Sequence, residues 1–189
     1  MPTNLIILFG PLAVGKMTVG QALSEKTGYK LFHNHVTIDP LTQIFDYGHP
    51  AMRVLIPEFR FRVMEEAMKH GLPGLIHTFV WAFQEGVGDT EFMGKLLARA
   101  QCYNARICFV ELQAPQEARK LRAFSENRGK YKPGNVQRAE MLADFEEGHQ
   151  LDSRGQFPFP DSYLRIDNGD VPPEEAAQRI CDYFKLPGI

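Results

Sequence analysis

The sequence predicts an α/β fold, a five-stranded parallel sheet with helices on both faces, and three observations predict it. Apolar runs of strand length alternate with amphipathic stretches of helix length. Each connection between successive runs is long enough for a crossover. A glycine-bearing loop, residues 10–16, stands between the first run and the first amphipathic stretch. With 189 residues, 44% of them hydrophobic and 23% charged, the chain suits one globular domain with a substantial core. No internal repeat, low-complexity tract or interdomain linker divides it, so residues 1–189 read as a single domain.

The elements follow in order. Residues 5–9 are wholly apolar and end at Gly10; Val19, Ala22 and Leu23 then recur at helical spacing over 16–27. Gly28 closes that helix as a left-handed cap, and 29–33 read as a second short strand. Asp39 and Pro40 have the form of an N-cap followed by proline at the first helical position, opening a helix through Phe45. A longer amphipathic helix is expected over 53–70, stopped by Gly71 and Pro73. The run 75–82 reads as a strand covered on both faces. A helix over 90–101, a strand over 106–112 and a helix over 116–127 come next. The basic, turn-rich stretch between Arg128 and Asn135 precedes a polar helix over 136–150. A fifth strand at 163–166 and a last helix at 173–184 complete the alternation.

The net charge of -2 supplies no overall attraction to nucleic acid or to an acidic membrane, so neither is expected as a partner and any anion site must be local. No basic leader or cleavage site precedes the first apolar run, and no run approaches the roughly 20 residues that span a bilayer, so a cytoplasmic protein is expected. Three cysteines, Cys102, Cys108 and Cys181, lack CxxC spacing and read as reduced thiols, largely core filling. No heptad seam indicates an oligomer.

The chemistry begins at Gly10-Pro11-Leu12-Ala13-Val14-Gly15-Lys16, a GxxxxGK loop between strand and helix. Glycines let consecutive backbone N–H groups turn onto phosphate oxygens, the helix N-terminus adds partial positive charge, and Lys16 reaches the β- and γ-phosphates. Met17 stands where a hydroxyl usually ligates magnesium, and Thr18 carries a hydroxyl one place later. This GKxT ending resembles that of adenylate kinase and related small-molecule kinases. Magnesium is then expected to be held by the nucleotide, water and distant carboxylates.

Nearly the whole chain resembles the nucleoside monophosphate kinase and shikimate kinase branch of P-loop proteins. Besides the loop, the resemblance rests on residues 112–117 with Arg122, on 166–169 with Pro173, Glu174, Glu175 and Ala177, and on the FRxxE pattern from Phe61 to Glu65. It implies a P-loop three-layer fold, with strand order 2-3-1-4-5, and the use of ATP with Mg2+. It implies that Arg122 packs on adenine or contacts phosphates and that Arg128, in a lid over about 120–135, grips the transferring phosphoryl group, with Arg119, Lys130 and Lys132 as weaker matches. The loop 166–169, including Asp167 and Asn168, lies beside adenine in this resemblance, and Arg62 binds an anionic group of the acceptor. The Asp-x-Asp of shikimate kinase is replaced by His33-Asn34-His35, and the glycine triplet after its third strand is absent, which argues against shikimate as acceptor.

His35 and Asp39, near the carboxyl end of the second strand, are the alternatives for a base acting on the acceptor hydroxyl. An acceptor region is expected around 33–70, where His33, Arg62 and His77 are assigned to substrate binding. Two histidines two apart on a strand face one side, but no third or fourth ligand joins His33 and His35, and no protein metal site is assigned. The chain therefore reads as an ATP-dependent phosphotransferase acting on a nucleoside, nucleotide or other polar metabolite. An antibiotic hydroxyl, as in chloramphenicol phosphotransferase, is a close variant. The alternatives are a regulatory nucleotide-binding module and a slow NTPase without an acceptor.

Overall fold

β1, Asn4–Phe9, is apolar on both of its faces because it runs through the middle of a sheet covered on both sides. In the computed structural model, which describes residues 2–123 and 146–188, it lies between β3, Gly74–Thr78, and β4, Arg106–Gln113. β2, Lys30–Phe32, and β5, Tyr163–Asp167, form the edges. All pairings are parallel and the order is β2-β3-β1-β4-β5, as expected. Leu5 stands opposite Leu75 on one side and Ile107 on the other.

The period-2 alternation of β1 sorts its side chains into two layers. Ile6 and Leu8 pack with Val19, Ala22 and Leu23 of α1, Lys16–Thr27, and with Ala177, Ile180 and Phe184 of a helix near the C-terminus, Pro173–Phe184. Leu5, Ile7 and Phe9 pack on the other face with Met64 and Met68 of α3, Pro50–Lys69, and with Met93, Leu96 and Ala100 of α4, Asp89–Cys102. Two further helices are α2, His35–Leu41, and α5, Gln116–Ala123, and the near-C-terminal helix is labelled α6. Gly28, at φ 71°, caps α1 and its N–H bonds the Ser24 carbonyl at 2.8 Å, as expected.

Several boundaries differ for identifiable reasons. α2 opens at His35, not at an Asp39 cap. Its entry is tightened by Val36 N to the His33 carbonyl at 3.0 Å and Thr37 Oγ1 to the Asn34 carbonyl at 2.9 Å, and Pro40 loses its missing bond only near the helix end. α3 begins at Pro50 because His49 Nδ1 accepts the Ala51 N–H at 3.2 Å and proline suits the first turn. β3 stops at Thr78, beyond which Phe79 N makes one more bond to Leu8 O at 2.8 Å; its other neighbour, β2, is three residues long. Trp81 is fully buried in an aromatic cluster with Phe9, Phe83, Phe109 and Phe157. Of the cysteines, Cys108 fills core, Cys181 is half-buried and Cys102 is exposed, so core filling does not describe the last. Among the described residues no helix is long and apolar enough to cross a membrane.

Candidate functional site

The loop between β1 and α1 is held in a conformation open to few sequences. Gly10 sits at φ 134°, and a Cβ there would run into the Leu112 carbonyl of β4. Ala13, at φ 59°, adopts the left-handed region at a cost of roughly 1–2 kcal/mol for an L-residue. Gly15, at φ 104°, is the N-cap of α1 and places no side chain on its first-turn N–H groups, which leaves those donors for a ligand. Lys16 Nζ lies over the loop, 2.7 Å from the carbonyl oxygens of Gly10 and of Pro11. Met17 is half-buried, and Thr18 is exposed in the first turn of α1.

Three side chains grip the back of this loop. Asn168 Nδ2 donates to Val14 O at 2.6 Å while its own N–H donates to Gln113 O at 2.6 Å. Arg122 donates to Val14 O at 3.2 Å and to the carbonyls of Asn168 and Gly169 at 2.7 and 2.6 Å. Arg119, almost buried, donates to Leu12 O at 3.2 Å and to Ala114 O at 3.0 Å and pairs with both oxygens of Glu146. The structure therefore gathers Arg122, Asn168 and Arg119, the last a weaker match in the sequence, behind the loop that carries Lys16. Asp167 is a turn residue whose Oδ1 accepts the Gly169 N–H at 3.0 Å. Arg128, Lys130, Lys132 and most of the expected lid and of the helix at 136–150 lie outside the described residues. An open cleft of about 470 Å³ borders the loop at the ends of β4 and β5, lined by Pro11, Gln113, Pro115, Arg119, Glu146 and Asp167. Its place at the carboxyl ends of the strands is where open parallel sheets bind ligands.

The second half of the site lies beyond β2 and β3. His33 follows β2 and His35 begins α2, so the two do not share a strand face as expected. Among the described residues no group of three His, Cys, Asp or Glu side chains could hold a metal ion. His35 Nδ1 stands 2.7 Å from Asp39 Oδ1, one helical turn away, with His35 largely shielded and Asp39 exposed. Asn34 N donates to Thr78 Oγ1 at 3.0 Å, tying the start of α2 to the end of β3.

Arg62 points away from this crevice: its side chain is 65% exposed and pairs with Glu65 and Glu66. Arg60 is the arginine that points in. It is 8% exposed, donates from Nε to Thr37 Oγ1 at 3.0 Å, and places its guanidinium 5.8 Å from the Phe79 ring centroid. Burial pulls its pKa down to about 10, partly opposed by the Asp89 carboxylate. A sequence signal existed. Arg62 has carboxylates three and four residues on, the mark of a surface ladder, whereas Arg60 has Val63 and Met64 there.

His77 is fully buried and donates from Nδ1 to the Phe32 carbonyl at 2.7 Å. Its Nε2 has no hydrogen-bond partner, and burial, helped by the nearby Arg60 charge, pulls its pKa down to about 3, so the ring is neutral at physiological pH. Two acidic side chains stand at this end of the sheet, Glu111 fully buried and Asp89 half-buried. Glu111 is saturated by Ser153 N at 2.9 Å, Ser153 Oγ at 2.6 Å, Gln113 Nε2 at 3.1 Å and the Tyr163 hydroxyl. Asp89, in the first turn of α4, accepts one bond, from Ala82 N to Oδ2 at 2.8 Å, and burial raises its pKa.

No family model matches this sequence, and no curated protein matches it. Solved structures do. The tunicamycin resistance protein of Deinococcus radiodurans superposes with a TM-score of 0.61 at 17% identity, covering 98% of both chains. Shikimate kinase from Aquifex aeolicus gives 0.55 at 18% identity over 96% of each chain, and a gluconokinase from Sinorhizobium meliloti gives 0.54 at 16% over 98% of each. The fold is that of the P-loop small-molecule kinases. Within that P-loop kinase fold, the glycine-bearing loop, the β2 and β3 ends and α3 surround one edge of the sheet, the carboxyl edge of its strands.

Proposed function

We propose that this chain is an ATP-dependent kinase that transfers the γ-phosphoryl group to a hydroxyl of a small polar acceptor, working as one domain with an acceptor region around 33–70 and a lid around 120–135. The observation that carries this reading is the loop Gly10 to Lys16, whose positive-φ glycines leave no room for a Cβ against Leu112 O and Asn168 Nδ2, whose helix start is uncapped, and whose lysine Nζ lies over the loop carbonyls. That donor set fits a triphosphate. Kinases named for shikimate and gluconate share the fold and support the reading.

In this proposal Lys16 and the loop amides hold the β- and γ-phosphates and neutralise charge as it shifts in the loose transition state of phosphoryl transfer. Arg122 and the 167–169 loop, with Asn168 bracing Val14, flank the base; Arg128 acts from the lid. Magnesium would lower the charge on the triphosphate, and since Met17 offers no oxygen, Thr18 and the phosphates themselves would hold it. On the acceptor side Arg60 takes the anion-binding part that the FRxxE pattern gives to Arg62. His35 orients and accepts the hydroxyl proton, with Asp39 fixing its ring through Nδ1 so that Nε2 is the accepting nitrogen. His33 stands at the same end, and His77, assigned to substrate binding from sequence, is fully buried and backs it from the core.

The test is a coupled ADP-release screen over nucleosides, nucleotides, sugars, hydroxy acids, amino acids and aminoglycosides, scored against the acceptor-free background. An acceptor that raises ADP release, with a rate that falls in His35→Ala and Asp39→Asn but ATP affinity that does not, is expected. ADP release that no acceptor raises makes the protein a slow NTPase or a nucleotide-binding module.

A further inference from the structure

Arg60 and Asp89 are opposite charges in electrostatic reach of each other, yet they form no ion pair. Each is held back by its own anchor. Arg60 is fixed by its Nε bond to Thr37, which in turn donates to Asn34 O, and by the face of Phe79. Asp89 is fixed by the Ala82 N–H, which closes the loop 82–89 against the first turn of α4, beside the Trp81 Nε1 bond to Thr90 Oγ1 at 3.1 Å.

Both groups keep polar atoms that bond no described residue and are open to solvent. Arg60 is 92% buried (its exposure is 8%), and its two terminal nitrogens meet no acceptor among the described residues. Asp89 Oδ1 accepts no hydrogen bond among them either. Next to Arg60, the buried Nε2 of His77 is also without a partner. One of these charges is buried and the other half-buried, so a ligand that completes both gains more from them than it would from exposed groups. His149 and Tyr47 add weaker fields at Asp89 and Arg60 respectively.

A group that completes both must be negative toward Arg60 and positive toward Asp89. We propose that Arg60 and Asp89 select a zwitterionic acceptor, a small hydroxyl-bearing amino acid, with Asp89 Oδ1 receiving its ammonium group while Arg60 holds its carboxylate. This rests on the kinase reading above, since it concerns the acceptor half of that site. Asp89 is then a specificity-determining residue: it discriminates among acceptors and leaves the phosphate loop untouched.

The test uses the full chain and ligand-detected NMR titrations without nucleotide. The probes are L-serine, L-threonine and L-homoserine, their decarboxylated amino alcohols, their deaminated hydroxy acids, and glycerol. At least one amino acid is expected to bind about ten-fold or more tighter than both of its single-charge counterparts. Asp89→Asn can keep the Ala82 bond through its carbonyl oxygen but turns a donor toward the ammonium. It should weaken the amino acid about ten-fold, leave the hydroxy acid unchanged, and melt close to wild type. Hydroxy acids that bind as tightly as the amino acids overturn the proposal. So does an unchanged affinity in Asp89→Asn, or a panel in which no amino acid binds. ADP release separates the two readings: amino-acid binding without ADP release contradicts the kinase and keeps the subsite, whereas ADP release driven only by uncharged polyols or nucleosides contradicts the subsite and keeps the kinase.

Discussion

Asn168 Nδ2 donates to the carbonyl oxygen of Val14 at 2.6 Å, so a side chain from the loop after β5 holds the back of the phosphate loop in shape. Asn168→Asp places a carboxylate oxygen against that carbonyl. The variant should lose about 1–3 kcal/mol of stability in urea unfolding and bind ATP several-fold more weakly by calorimetry. Gly15→Val should lose both as well, because φ 104° disfavours a side chain and the new Cβ would meet Asn168 Nδ2 at 2.8 Å. Normal ATP affinity in Gly15→Val would mean the loop is no phosphate cradle.

Arg60 and Arg62 separate the two readings of α3. Arg62→Ala should leave both melting temperature and acceptor KM near wild type, since its partners are exposed or shared: Glu65 also pairs with Arg99 at 2.8 Å. Arg60→Lys keeps the charge but not the guanidinium geometry, and should raise acceptor KM about ten-fold with ATP affinity unchanged. The opposite ranking in steady-state kinetics restores Arg62 as the acceptor residue.

His77 gives the fold an acid liability. Its folded pKa, about 3, lies below the ordinary 6.5, so the unfolded chain binds the extra proton first. Its contribution is whole above about pH 6.5 and is lost as pH falls toward 3, at up to about 1.4 kcal/mol per pH unit. His77→Asn can keep a donor to the Phe32 carbonyl and removes the titration. Chemical denaturation at several pH values should show a shallower acid slope in the variant than in wild type; equal slopes would assign the acid loss to other groups.

The alternation of strands and helices was legible because each layer of the sheet imposes its own pattern on the chain. The five apolar residues of β1 could only suit a strand buried on both faces, and the phosphate loop announced itself by spacing. What escaped depends on which way a side chain points. Asp39 followed by Pro40 imitates a helix start, yet the turn bonds at His33 and Asn34 open α2 earlier and make Asp39 the partner of His35. Arg60 and Arg62, two apart on a helix, must face different ways, and the family pattern favoured the exposed one. The open oxygen of Asp89 has no sequence signature, because the Ala82 bond that positions it arises only once β3 ends early and the loop returns.

Lys16 lies 2.7 Å from two loop carbonyls and outside both buried core clusters. The most direct test of phosphoryl transfer is therefore to follow the label of γ-labelled ATP into low-molecular-weight products, using wild type and Lys16→Ala side by side on the acceptor panel. The account predicts acceptor-dependent labelling by wild type and at least a ten-fold loss in Lys16→Ala, with its melting temperature retained. Label appearing only as inorganic phosphate with every acceptor, or equal labelling by the two proteins, would contradict it.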